Sequence, residues 1–265
     1  MKRKTGKSIC VFSGKGGVGK TILTLNLAGI YKIIGKRVLI MDLDLSSGGI
    51  SLATNKASEK NIYTLVDDYN NNRFHDFHDY VVKYTENIDI LASPKDPRQA
   101  SKIESKYIEI AIDKAEYLYD VVLIDTNHNL NELNLVILDA VKDILFVMNN
   151  DPLDLKNMKS LLSIFRDLKK ENYKIVLNNA RDPMKKYFTL FDIKNIIKAN
   201  VDYVISEEFY IKNIDNYIMN GEIITLQKKA ANVFNKDYTT LMKIATDLYG
   251  KEKQESHEEE PSWGI

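Results

Sequence analysis

The sequence predicts an α/β fold in which helices cover both faces of a mostly parallel, twisted sheet. Short β-branched apolar runs recur along nearly the whole chain, amphipathic segments of helical period lie between them, and no internal repeat or long linker breaks the alternation. Runs that are apolar throughout suit strands buried on both faces. The first is Ser8–Ser13, and the amphipathic stretch Lys20–Ile34 follows it as the first helix. Gly35 stands where a helix C-cap is expected, just before the second strand, Arg37–Asp42. Asn55–Glu86 is the least regular segment. It holds Asn70-Asn71-Asn72, two histidines and mixed charges, and predicts short helices or a surface excursion. Asn87–Ala92 resumes the strands. Helix Arg98–Tyr117, strand Asp120–Asp125, helix Leu130–Ala140 and strand Asp143–Met148 follow, then helix Leu153–Lys170, strand Tyr173–Asn178, helix Leu190–Ala199 and strand Asp202–Ile205. The series reads as one domain over residues 1–250. From about Lys251 the chain turns acidic and loses periodicity, so 251–265 predicts a disordered tail.

With 265 residues, 44% of them apolar, the chain can bury a substantial core. Its 37 Lys+Arg balance 37 Asp+Glu, which argues against a basic coat for nucleic acid and against an acidic disordered chain. The balance hides polarity: residues 1–7 carry four positive charges, whereas 251–265 carry two lysines and five glutamates. Cys10 is the one cysteine, which excludes a disulfide framework and any Cys-based zinc or iron–sulfur site within one subunit. No stretch approaches the roughly 18 consecutive apolar residues that mark a membrane span. The basic opening runs into a Gly-rich turn rather than a signal-peptide apolar core. A reducing compartment, hence the cytoplasm, is expected.

Gly14-Lys15-Gly16-Gly17-Val18-Gly19-Lys20-Thr21 fits G-x-x-x-x-G-K-[ST] and lies between a predicted strand and a predicted helix, the context that gives the motif meaning. Glycines let successive backbone N–H groups turn inward around phosphate oxygens, and the helix N-terminus adds partial positive charge. Lys20 is expected to reach the β- and γ-phosphates and the Thr21 hydroxyl to ligate Mg²⁺. Asp42 and Asp44 end the second strand and Asp125 ends Val121-Val122-Leu123-Ile124-Asp125, a Walker B pattern. In open α/β sheets ligands bind beyond the carboxyl ends of strands, so these carboxylates should face a nucleotide. Turn chemistry at a strand end is the plainer alternative for Asp42 and Asp44.

Lys15 makes the loop K-G-G-x-G-K-T, which resembles the deviant Walker A motif of the ParA/MinD family of P-loop ATPases. The resemblance implies two ATP molecules sandwiched between two subunits, with Lys15 crossing to the partner's nucleotide. It also implies that Asp44 orients the attacking water, that Asp42 supports the loop and metal shell, and that Asp125 holds Mg²⁺. By the same resemblance Asn178, after Lys174-Ile175-Val176-Leu177, reads the adenine; Asn179 is the rival by one residue. No N-K-x-D or T-K-x-D follows this strand, which favours ATP over GTP. Asp125-Thr126-Asn127-His128 departs from the commoner pattern, having neither Pro nor Gly two residues after the Asp, and Ile22 replaces a frequent second hydroxyl. His128 is near enough in sequence to approach the nucleotide, although a polar loop histidine is ordinarily a surface residue. Leu91-Ala92-Ser93-Pro94, Asp96-Pro97-Arg98, Tyr119-Asp120-Val121, Asn149–Leu155 and Asp42–Gly49 resemble the CpaE/TadZ branch, which localises pilus-assembly machinery. That branch usually has an N-terminal receiver-like domain, which is not expected where the phosphate loop starts at residue 14.

His75 and His78 have i,i+3 spacing without a third ligand and read as solvated. Arg181, Lys185, Lys186, Lys194 and Lys198 are interspersed with Asp182 and Asp192, so a solvated face is favoured over a DNA-binding patch. The acidic end, Glu258 to Ile265, opposes an anionic bilayer; its Trp263 raises Ser262–Ile265 as a short docking peptide, although a tail without a role is the plainer reading. The expected function is an Mg²⁺-dependent ATPase of slow turnover, homodimeric when ATP-bound. It would position a pilus, secretion or similar assembly through a protein partner, without inserting in membrane. The alternatives are a DNA-partition ATPase and a flagellar or division-site positioning ATPase.

Overall fold

The computed structural model describes residues 5–180, 187–209 and 214–250. The acidic tail with Trp263, and Arg181, Lys185 and Lys186 of the basic patch, lie outside the described residues. Eight strands form one sheet: β1 (Lys7–Phe12), β2 (Val38–Leu43), β3 (Val82–Thr85), β4 (Ile88–Leu91), β5 (Val121–Thr126), β6 (Asp143–Met148), β7 (Tyr173–Asn178) and β8 (Tyr203–Ile205). Their order is β3-β4-β2-β5-β1-β6-β7-β8, and every pairing is parallel except β3 with β4. The described helices are α1 (Lys20–Ile33), α2 (Gly49–Thr54), α3 (Ile62–Asn70), α4 (Ser105–Leu118), α5 (Glu132–Ala140), α6 (Pro152–Asp167), α7 (Leu190–Ile197), α8 (Ile214–Asn220), α9 (Ala230–Val233) and α10 (Asn235–Tyr249).

Strand periodicity sends alternate residues to two cores. Cys10, Phe12, Leu39, Met41, Val122 and Ile124 pack under α4, α5 and α6, whereas Ile9, Val11, Ile40 and Leu123 pack under α1 and α10. Tyr31 in α1 is fully buried and donates its hydroxyl to Ala245 O of α10 at 3.1 Å, which closes the second layer. Gly35 has φ +78° directly after α1, the left-handed residue expected of a helix end there. No described helix is long and apolar enough to cross a membrane.

The expected helix Arg98–Tyr117 is corrected. Asp96 caps a short 3-10 turn over Pro97–Lys102, and α4 begins only at Ser105. β3 and α10 were not expected. β3 is an antiparallel edge whose Val-Lys-Tyr-Thr is only half-buried, and α10 buries a narrow stripe (Leu241, Ile244, Ala245, Leu248) in a polar sequence.

Candidate functional site

The central strands β2, β5, β1, β6 and β7 all end at one edge of the sheet, and the turn leaving β1 lies there. This is where open α/β sheets form a crevice. Gly17 and Gly19 of that turn have φ of +74° and +98°, left-handed conformations that favour glycine. The turn is packed as well as bent. Asn157 of α6 donates to Gly14 O at 2.9 Å, and a Cβ on Gly19 would lie 2.7 Å from Asn178 Nδ2. Lys20, the first residue of α1, is 8% exposed and donates from Nζ to Ser13 Oγ at 2.9 Å; Ser13 Oγ donates to Lys15 O at 2.7 Å. Burial lowers the Lys20 pKa, while Asp125, Asp44 and Asp154 oppose that fall.

The acidic side of the crevice follows from strand register. Asp42 of β2 and Asp125 of β5 are direct partners across the parallel pair. Thr21 Oγ1 donates to Asp125 Oδ2 at 2.7 Å, and Asp42 Oδ2 accepts the Ile50 N–H at 3.0 Å and the Ser93 hydroxyl at 3.3 Å. Oδ1 of each carboxylate is buried without a hydrogen-bond partner. Burial, then the neighbouring Asp125, pushes Asp42 up to about 8; burial pushes Asp125 up to about 6. Asp44 is half-buried, its Oδ1 accepts the Ser47 N–H at 3.2 Å, and its carbonyl accepts the Gly48 N–H at 2.9 Å. The turn chemistry considered for this pair is therefore present, alongside an acid that faces the loop.

The raised Asp42 pKa has a measurable consequence. Between its ordinary value and about 8 the folded state holds a proton that the unfolded state has released, so stability from this group falls as pH rises. Asp42→Asn has no such proton to lose. Without nucleotide, the melting temperature of the native chain should drop by several degrees relative to Asp42→Asn between pH 5 and 8. Parallel curves would remove the buried-acid assignment.

Lys15 is tied to the start of α6. Its Nζ pairs with Asp151 Oδ1 at 2.9 Å, and this contact holds the Asp151 pKa low. Asp151 also caps α6, accepting the N–H groups of Leu153 and Asp154. Asn178 is buried at the end of β7, donates from Nδ2 to Val18 O at 2.9 Å, and accepts the Ala180 N–H at 3.1 Å. Its amide thus braces the turn; Asn179 is half-buried and gives its N–H to Ile205 O.

The phosphate loop, Asp42, Asp44, Asp125 and Asn178 lie at this edge, and several residues not assigned a role from the sequence contact them. Ser13 links Lys20 to the turn, and Asn149 donates to Asn178 O at 2.7 Å. Asp154 is fully buried, accepts the Asn149 N–H at 2.6 Å, and is pushed up to about 6 by burial. Asn149 and Asp154 follow the carboxyl end of β6, so the strand-end rule that flagged Asp42 and Asp125 was the available signal. His75 is exposed and the exposed His78 ring sits 3.0 Å from Asp76; among the described residues no cluster of three metal-type side chains exists. The residues present suit a hydrated hard cation held in part by a phosphate ligand, because orphaned carboxylate oxygens and a hydroxyl adjoin a glycine cradle.

Comparison with known proteins agrees with this geometry. A family model described as an AAA domain matches residues 6–179. The sporulation initiation inhibitor protein Soj of Bacillus subtilis is 30% identical over 223 residues, covering 74% of this chain and 85% of Soj. Among solved structures, a ParA family ATPase from Chlorobium tepidum superposes with TM-score 0.76 at 16% identity, covering 90% of this chain and 98% of that one. The septum site-determining protein MinD of Pyrococcus horikoshii, complexed with Mg-ADP, gives TM-score 0.73 at 19% identity, covering 91% and 94%.

Proposed function

Because the chain belongs to the ParA/MinD family of P-loop ATPases, we propose that it is a Mg²⁺-dependent ATPase of slow turnover. Its ATP-bound homodimer positions a cellular assembly. The observation that carries this reading is the division of labour between two lysines of one turn. Lys20 is buried along the cradle, whereas Lys15 is held at its rim by Asp151. A lysine held only by a partly exposed ion pair is available to a second subunit.

In this reading Gly14, Gly16, Gly17, Val18 and Gly19 supply backbone around the phosphates, and Lys20 neutralises the charge that builds on the outer oxygens. Thr21, Asp125 and Asp42 would hold Mg²⁺, which would supply charge stabilisation at the terminal phosphoryl group. Asp44 orients the attacking water. Asn178 reads adenine by exchanging its Val18 contact for the base, or else acts only by bracing the turn. Lys15 leaves Asp151 to reach the partner's nucleotide.

The MinD complex with Mg-ADP supports the choice of nucleotide and cation. For the cargo, the branch resemblance favours pilus or secretion machinery, a cytoplasmic setting and a protein partner. Soj of Thermus thermophilus, named a chromosome-partitioning ATPase, and MinD, named for septum placement, keep the partition and division-site alternatives in view. Zero net charge speaks against DNA as the principal partner.

Light scattering on the eluting protein tests the reading. A dimer is expected with Mg-ATP, a monomer with ADP or no nucleotide, and no change on adding DNA. A monomer in every state would overturn the mechanism, and salt-sensitive retention on DNA only with ATP would move the function to partition.

A further inference from the structure

His128 stands three residues beyond Asp125, and the roles assigned above leave it unused. Its imidazole lies over the phosphate loop: a Cβ on Gly16 would sit 3.3 Å from both Cε1 and Nδ1 and 3.8 Å from Nε2. The ring is exposed, and no described residue forms a hydrogen bond with it. The backbone that carries it is pinned on both sides. Asn127 Oδ1 accepts the Asn129 N–H at 2.9 Å. Asn134, fully buried in the first turn of α5, donates from Nδ2 to Asn127 Oδ1 at 2.8 Å and to Asn129 O at 2.6 Å. On the strand side, Thr126 Oγ1 donates to Val11 O at 2.9 Å. A buried amide therefore clamps the two neighbours of a histidine whose own ring is left open above the loop.

The position of the ring selects which phosphate it meets. Lys20 Nζ, the group that reaches the outer phosphates in loops of this kind, is bonded to Ser13, and Ser13 to the carbonyl of Lys15. The outer phosphates thus belong to the Ser13–Gly16 end of the loop, the end that His128 covers. An imidazole carries one N–H in either neutral tautomer and two when protonated, so it can donate to a phosphate oxygen in each charge state.

We propose that His128 is a specificity-determining residue that donates a hydrogen bond to the terminal phosphate of ATP on its own subunit. It thereby lets the segment after β5 distinguish ATP from ADP through a side chain. This inference rests on the proposed nucleotide site and supplies a phosphate sensor where the chain lacks the usual Pro or Gly. Gly16 serves it by leaving room for the ring, and the Asn134 clamp serves it by fixing where the ring starts.

Calorimetric titration of Mg-ATPγS and of Mg-ADP into the native chain, His128→Ala, His128→Phe and His128→Gln tests this. A hydrogen bond to a charged group sets the expected loss of ATPγS affinity at about tenfold for Ala and Phe. ADP affinity should be unchanged, and Gln, which keeps a donor, should restore most of the loss. Since the ring is exposed, the variants should melt with the native chain without nucleotide. ATPγS and ADP affinities that fall together, or that do not move, would overturn the role of His128. A native chain that binds neither nucleotide would instead overturn the nucleotide site.

Discussion

Asp44→Ala is expected to lower ATP hydrolysis about a hundredfold while leaving nucleotide affinity nearly intact, so that the ATP-bound dimer accumulates. The magnitude is the usual contribution of a positioned acid–base group. The carboxylate is half-buried at the end of β2, close enough to Lys20 to influence its proton affinity. It also organises a turn by accepting the Ser47 N–H, so loss of shape must be separated from loss of charge. Asp44→Asn does this, because an amide oxygen still accepts that N–H but lacks the negative charge that holds the attacking water in line. Phosphate release under steady-state conditions should fall in both variants. Full activity in Asp44→Asn would show that the residue only shapes the turn, and full activity in Asp44→Ala would remove it from the chemistry.

Lys15→Ala is expected to abolish the ATP-dependent dimer while ADP affinity stays within about twofold, since the ammonium pairs with Asp151. Both partners of that pair are partly exposed, and such contacts are worth about 0–1 kcal/mol. The pair is therefore weak enough to release the lysine. Asp151→Asn keeps the cap on α6 but weakens the hold, and should tighten the ATP dimer a few-fold. Analytical ultracentrifugation with Mg-ATPγS reads both effects. A Lys15→Ala protein that dimerises like the native chain would end the cross-subunit assignment.

The parts of the site legible in the sequence are those whose spacing is itself the signal. The loop from Gly14 to Thr21 is contiguous, Asp125 ends an unbroken apolar strand, and β6 and β7 begin and end at the expected residues because polar groups bound them. What escaped is what distant segments make together. Lys15 meets Asp151, Asn178 meets Val18, and Asn134 meets Asn127 only once the sheet order is fixed, and no local pattern encodes that order. Elements were missed for a related reason. β3 shows no full apolar run because it is an edge, and α10 hides its stripe among charges because its outer face is solvated. Pro97 and its Asp96 cap shortened a helix whose periodicity extends further than its backbone.

The direct register of Asp42 against Asp125 has a consequence for the charge the crevice carries. Two acids stand at one level of neighbouring strands, each with an orphaned oxygen, and burial together with the nearby Asp125 raises the proton affinity of Asp42. A divalent cation held by Asp42 and Asp125 would favour their charged forms and displace a proton to solvent. The crevice would then trade one positive charge for another, and its empty and loaded forms would differ in net charge by less than the ion alone would add.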